Sequence, residues 1–397
     1  MQLWHPYSGE REAALDGLIA AFNAEHGPDL ALQAESYGDT GLLHDQVLLQ
    51  LTNAGPLPNL IITWPHDIAL FDLSNVIVDL APVPSISEAT HARGYTPARE
   101  KLIGIPTRTF VTAMYVNQTA LEELGYTDPP QTGAQLVEMA CAFRQAGGWS
   151  QGRFGNTWGV VMPTSAEIVL GLVARQAGTL YSSDVGLVVD SEEMRNTVEM
   201  IADIQSQGCG ITVDAPLDGL AAFAEGRALL YFGSTSSLTL MRDEILANFA
   251  EPFDWRVVPL PGDGASLSLG PVISTVDQGP AANQAAYQFI EWFLQAENNA
   301  AWNTATGSLP SHPQAVDLMS EAFDGFPQWK EAQALASEQV TALPALASYD
   351  VLRLMLQFGV QRVVSNAVPV VDELPALQHQ LTDIWQDFMP EDAPADD

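Results

Sequence analysis

The chain has 397 residues, 47% of them hydrophobic, and its 49 acidic against 15 basic side chains give a net charge of −34. Such a field repels nucleic acid and anionic lipid, so neither is expected as a partner. No stretch reaches the roughly 18 uncharged apolar residues a membrane span requires, and the length suffices for two or three units with separate cores.

The opening "MQLWHPYSG" reaches a strand-like segment almost at once, as expected of a chain that begins at the mature fold rather than with an intact signal peptide. "MQLWHPY" and "DLALQAESYG" read as strands around the amphipathic helix "EREAALDGLIAAFNAEHG", whose apolar face carries Leu15, Leu18, Ile19 and Phe22. That is one βαβ unit. "LLHDQVLLQLTNAG" supplies the next helix, "PNLIITW" a buried strand, and "DIALFDLSN" a short helix, which is the pattern of parallel α/β structure.

Residues 105–116, "IPTRTFVTAMYV", form a strand-like run too long for one parallel strand, as if a single strand served two places and carried the chain between lobes. A second α/β unit follows. Its pieces are a helix starting at Thr132, the strand "WGVVMP", a helix in "TSAEIVLGLVARQAG" with Thr164 and Glu167 at capping-box spacing, "SEEMRNTVEMIADIQSQG", "GLAAFAEGRALLYFGS" and "WRVVPLPG". "SLSLGPVISTV" and a helix over 281–303 read as a return to the first unit, and "SLPSHPQA" through "QHQLTDIWQDF" as an all-helical remainder on the second. The expected division is 1–110 with 265–306, against 111–264 with 307–388, followed by a disordered acidic tail at 389–397. Two lobes crossed three times by one chain can close on a ligand between them.

Cys141 and Cys209 have no CxxC or Cys/His spacing, so no metal is expected; whether they form a disulfide the spacing leaves open. Only Lys101 and Lys330 are lysines, so nearly every positive charge is an arginine able to fork onto an oxyanion. No G-x-S-x-G elbow and no phosphate-loop motif occurs, so catalysis is not expected and no cofactor is called for. A carboxylate-pair glycoside hydrolase is the remote enzymatic alternative.

"LWHPYSGEREAALDGLIAAFNAEHG", "LTNAGPLPNLIITW", "MYVNQTALEELGYTDPPQT", "AFAEGRALLYFGS", "FIEWFLQAENNAAWNTATGSLPSHPQA" and "VDELPALQHQLTDIWQDF" together span nearly the whole chain. In these pieces the chain resembles the extracellular solute-binding proteins of ABC importers, in the class of the maltose-binding and glycerol-3-phosphate-binding proteins. The resemblance implies a type II periplasmic-binding-protein fold, α/β, with a hinged cleft between two lobes. It implies capture of a sugar or polyol, or of a phosphorylated polyol such as glycerol 3-phosphate, for delivery to membrane permease subunits. A periplasmic or extracellular monomer is expected, with a lipid anchor outside this sequence as one option.

The resemblance places the turn "TGSLP" at the cleft, with Ser308 where similar proteins carry an aromatic ring. It matches Arg362 to the arginine that holds phosphate in the glycerol-3-phosphate binders, against the alternative of an ordinary pair with a carboxylate. Gly270 matches a glycine whose backbone approaches ligand, while Arg108, beside Thr109 at the first crossing, stands where relatives carry small polar residues. Thr164 and Ser165 open one helix and Ser234 to Ser237 another, so a cap and a ligand site are both open readings for Thr164, Ser165, Ser234 and Ser236. Trp64, Tyr7, Phe232 and Tyr349 are candidate stacking rings, with core packing as the alternative for each. Trp64, His66 and Asp67 follow a buried strand at its carboxyl end, where open α/β sheets bind ligands; Trp64 and Asp67 rank above His66.

Overall fold

Leu60–Thr63, buried at every position, is the middle strand of a five-stranded sheet in the order Gln33–Ser36, Gln2–His5, Leu60–Thr63, Val272–Thr275, Ile105–Pro106. The computed structural model in which this is seen describes residues 1–28, 30–87, 95–96, 101–214, 216–310 and 312–388; the acidic tail expected at 389–397 lies outside them. Side chains alternate across the sheet. Leu60 and Ile62 pack with Phe22, Phe289, Phe293 and Trp302, whereas Ile61 packs with Leu43, Val47 and Phe71 on the other face. Leu15, Leu18, Ile19 and Phe22 of the helix Glu10–His26 are buried, as their spacing predicts.

The second sheet has seven strands. Its path runs Gly210–Val213, Trp158–Pro163, Ala228–Ser234, Phe110–Asn117, Ser266–Leu269, Val340–Ala342, and Trp255–Val258 also pairs with Phe110–Asn117. The helix Gly133–Gln145 starts from a full capping box of Thr132 and Gln135. The box expected of Thr164 and Glu167 does not form: the helix Ala166–Arg175 starts one residue later, and Glu167 instead accepts a hydrogen bond from the Tyr349 hydroxyl. Cys141 and Cys209 are joined by a disulfide, which ties the helix Gly133–Gln145 to the turn before Gly210–Val213.

Two expectations about the later chain change. The helix expected over 281–303 is two, Pro280–Phe293 and Ala296–Thr306, because Gln295 adopts extended backbone between them. Gly307, at φ 63°, ends the second in the left-handed conformation that its sequence predicts. The remainder expected as all-helical includes Val340–Ala342, which lies parallel to Ser266–Leu269 and covers an otherwise open sheet edge.

The chain crosses between the sheets in three places, side by side. The run 105–116 is broken: Ile105–Pro106 belongs to the smaller sheet and Phe110–Asn117 to the larger. The Thr107 amide donates to the Pro271 carbonyl at 3.0 Å, and the Thr109 amide to the Leu309 carbonyl at 3.2 Å. Ser266–Leu269 pairs antiparallel with Phe110 and Val111 in the larger sheet, so the chain returns to the smaller one through Gly270 and Pro271. A Cβ at Gly270 would lie 2.1 Å from the Arg108 carbonyl oxygen, so only glycine lets these two crossings approach so closely.

Candidate binding cleft

Between the two sheets lies a cavity of about 510 Å³ walled by both and floored by the crossings. From the smaller sheet's side come Thr40, Gly41, His44 and Asp45 of the helix Thr40–Asn53, and Trp64, His66 and Asp67. The last group sits there because Leu60–Thr63 ends at its carboxyl end and Pro65, whose missing N–H is no loss in a first turn, starts the helix Pro65–Asp72. The larger sheet's side contributes Glu167, the loop Ala342 to Pro344, and Tyr349, Asp350 and Arg353 from the helix Tyr349–Val364. Pro106, Arg108, Ser268 and Gly270 come from the crossings.

The polar groups are tightly organised. Asp67, 2% exposed, accepts from Thr63 Oγ1 at 2.6 Å and bonds His44 Nδ1 at 2.8 Å. Burial pushes its carboxyl upward, but the His44 and Thr63 bonds and the nearby His66 outweigh this and hold it below the usual carboxylate range. The same bond raises His44 above the usual histidine range. Arg353 Nε donates to Asp350 Oδ1 at 2.7 Å, and His66 Nε2 lies 3.5 Å from that oxygen, a contact from one wall to the other. The His66 ring is stacked on Trp64 at 6.3 Å and stands 5.3 Å from Tyr349; burial lowers its pKa. Burial, and then the Glu167 carboxylate, push the Tyr349 hydroxyl far above its ordinary value, so it remains a donor.

These residues present stacking faces from Trp64 and Tyr349, carboxylates that accept from hydroxyls, and cationic donors at Arg108 and Arg353. No nucleophile–base pair is among them. His66, Asp67 and Asp350 bring ligand-type atoms within 4.8 Å of one another, but Asp67 is already bonded by His44 and Thr63, and Asp350 by Arg353. A metal ion would have to compete with those donors.

Of the residues singled out from sequence, Trp64, His66, Asp67, Arg108, Gly270 and Tyr349 line the cavity. Tyr7 lies behind it, its buried ring 5.4 Å from the Arg108 guanidinium carbon. Thr109 and Ser308 are buried at the crossings, the Ser308 hydroxyl bonded to that of Thr306. Thr164 accepts from Gln361 Nε2, Ser165 precedes its helix without a side-chain cap bond, and Ser234 and Ser236 bond each other at 2.6 Å. Phe232 is fully buried in the larger sheet, and Arg362 pairs with Glu373 outside the lining. Sequence reading passed over His44, Glu167, Asp350 and Arg353. For Asp350 and Arg353 the signal that could have found them is their i, i+3 spacing, beginning one position after the aromatic candidate Tyr349.

Residues 17–337 match the sequence profile of the bacterial extracellular solute-binding proteins. The chain is 23% identical over 394 residues to the sn-glycerol-3-phosphate-binding periplasmic protein UgpB of Pectobacterium atrosepticum, covering 93% of this chain and 85% of that one. The cyclic alpha-maltosyl-1,6-maltose binding protein from Arthrobacter globiformis superposes with a TM-score of 0.82 at 17% identity, covering 98% of this chain and 99% of that one. UgpB from Mycobacterium tuberculosis, solved with glycerophosphocholine, superposes with a TM-score of 0.77 at 17% identity, covering 97% and 98%. These structures share the two-lobed α/β architecture, and no helix among the described residues is long and apolar enough to cross a membrane. With a family match that spans most of its length and a cavity walled by two lobes, the chain belongs to the bacterial extracellular solute-binding proteins.

Proposed function

We propose that this protein is the solute-capturing component of an ABC importer and takes up a hydroxyl-rich solute, a sugar or polyol, in the cleft between its lobes. The observation that carries the reading is the lining: Trp64 and Asp67 from one wall, Tyr349 and Asp350 from the other, face one cavity of about 510 Å³. Rings stack on the apolar faces of sugars, and anchored carboxylates accept from their hydroxyls. In this reading the lobes divide near residues 107–109, 270–271 and 307–308, a placement supported by the backbone pairing at the crossings. Hinge motion there closes the cleft, and the closed monomer, periplasmic or extracellular and either free or lipid-anchored, delivers its cargo to membrane permease subunits. Binding without turnover fits a cavity that holds no nucleophile–base pair.

The second reading, a phosphorylated polyol, is favoured by the similarity to sn-glycerol-3-phosphate-binding periplasmic proteins. The arginine matched for that role, Arg362, is occupied by Glu373, which leaves Arg108 and Arg353 as the cationic groups at the cavity. A thermal-shift screen across monosaccharides, oligosaccharides, polyols and their phosphates tests the proposal, because a ligand bound only by the folded state raises its melting temperature. A rise with at least one such solute and no product released is the expected result. Product formation, or no rise with any of them, contradicts it.

A further inference from the structure

Among the described residues, the charges lining the cavity form ion pairs in all but three cases, Asp45, Arg108 and Glu167. Asp67 is held by His44 and Thr63, Asp350 by Arg353, and Asp45 stands in solvent at the rim. Arg108 is different. It is 8% exposed, its guanidinium carbon lies over the rings of Phe110 at 4.8 Å and Tyr7 at 5.4 Å, and its Nε is buried without a hydrogen-bond partner. No carboxylate among the described residues forms an ion pair with it, whereas six other arginines each hold one. The buried Tyr7 hydroxyl beside it is a neutral neighbour that interacts with Arg108 and Thr107 and supplies no counter-charge.

A desolvated cation without a counter-charge is costly to the fold, and with 49 acidic side chains in the chain a partner was readily to hand. The missing counter-charge is then one that arrives with the ligand. Rings cover the faces of the guanidinium, which leaves its N–H edge to make parallel bonds to one oxyanion. Another unmatched group limits the charge. Glu167 lines the same cavity, accepts from Tyr349 and forms no ion pair among the described residues, so a second negative charge on the ligand meets repulsion.

We propose that Arg108 is a specificity-determining residue that selects a hydroxylated solute bearing one single-charged oxyanion, the carboxylate of a sugar acid or the phosphate of a diester, over neutral sugars and doubly charged phosphate monoesters. The proposal rests on the solute-capture reading above and narrows it.

Calorimetric titration of the full chain at neutral pH with D-glucuronate, glycerophosphoglycerol, D-glucose and glycerol 3-phosphate tests it, in wild type and Arg108→Met, whose unbranched stem still fills the space between the rings. Arg108→Gln serves as the second variant. A singly charged solute is expected to bind at least about 30-fold more tightly than glucose, and the variants to lose that preference. Which of the two singly charged solutes binds distinguishes carboxylate from diester. Without ligand the variants are expected to melt no lower than wild type, because they shed an unpaired buried charge; a structural role would lower their melting temperature. Equal binding of glucose and the singly charged solutes, a preference for glycerol 3-phosphate, or a preference that survives both substitutions overturns the proposal. Binding of glucose without charge preference removes this inference and leaves solute capture standing; binding of none of the four overturns this inference, and only a null result across the whole thermal-shift screen overturns both.

Discussion

At Arg362 the guanidinium is half exposed and meets a Glu373 carboxylate only 2% exposed. The pair links the helices Tyr349–Val364 and Val370–Asp387, so its role is read from what its loss would strand: a buried carboxylate without its cation. Arg362→Ala is expected to cost about 1–3 kcal/mol of folding stability and to leave solute affinity unchanged. Denaturation and titration of the same variant check both halves, and a tenfold or greater loss of affinity at unchanged stability would return Arg362 to the ligand. The contrast with Arg108 is one of partners rather than of residue type. Both arginines sit in polar surroundings by sequence, and only the fold determines which one finds a carboxylate.

Between elements, the His44–Asp67 bond holds the helix Thr40–Asn53 against the start of Pro65–Asp72. His44 is raised above 6.5, so its stabilisation is fully present below that pH and is lost as pH rises through the raised value. Asp67 is depressed below 3.8, so its share is present above that pH and is lost as pH falls through the depressed value. The link is therefore strongest between pH 3.8 and 6.5. His44 is partly open to solvent, so His44→Ala is expected to lower stability by about 1 kcal/mol near pH 5 and by less near pH 9. Urea denaturation at the two pH values measures the gap, and a gap that widens with pH contradicts the assignment.

Elements whose cause is local were legible in the sequence. The helix Glu10–His26 buries the face its spacing marks, Thr132 caps, Gly307 stops its helix, and Trp64 and Asp67 follow a buried strand into the cavity. Small hydroxyls at helix starts were not separable, because a side chain that caps a helix and one that meets a ligand share residue type and position. Thr164 turns to Gln361, and Ser234 and Ser236 turn to each other. His44, Glu167 and Arg353 were missed for the converse reason. Each is a polar residue on a helix, and the packing of the opposite lobe determines which helix face looks into the cleft. The strand Val340–Ala342 was missed because three residues carry too little periodicity to register against its neighbours.

At the scale of the whole molecule, two sheets with separate cores are joined by three adjacent crossings and touch again across the cleft, where His66 reaches Asp350 and Tyr349. In the capture mechanism proposed above, these adjacent antiparallel crossings bend together, the lobes move as bodies, and a solute gripped by both walls holds them closed. Small-angle X-ray scattering of the full chain, alone and with saturating maltose, D-glucuronate or glycerol 3-phosphate, reads this directly. The account predicts that the solute that raises the melting temperature also lowers the radius of gyration, and that Trp64→Ala abolishes both changes. A melting-temperature rise with an unchanged radius, or compaction that persists in Trp64→Ala, would contradict capture of a solute between the lobes.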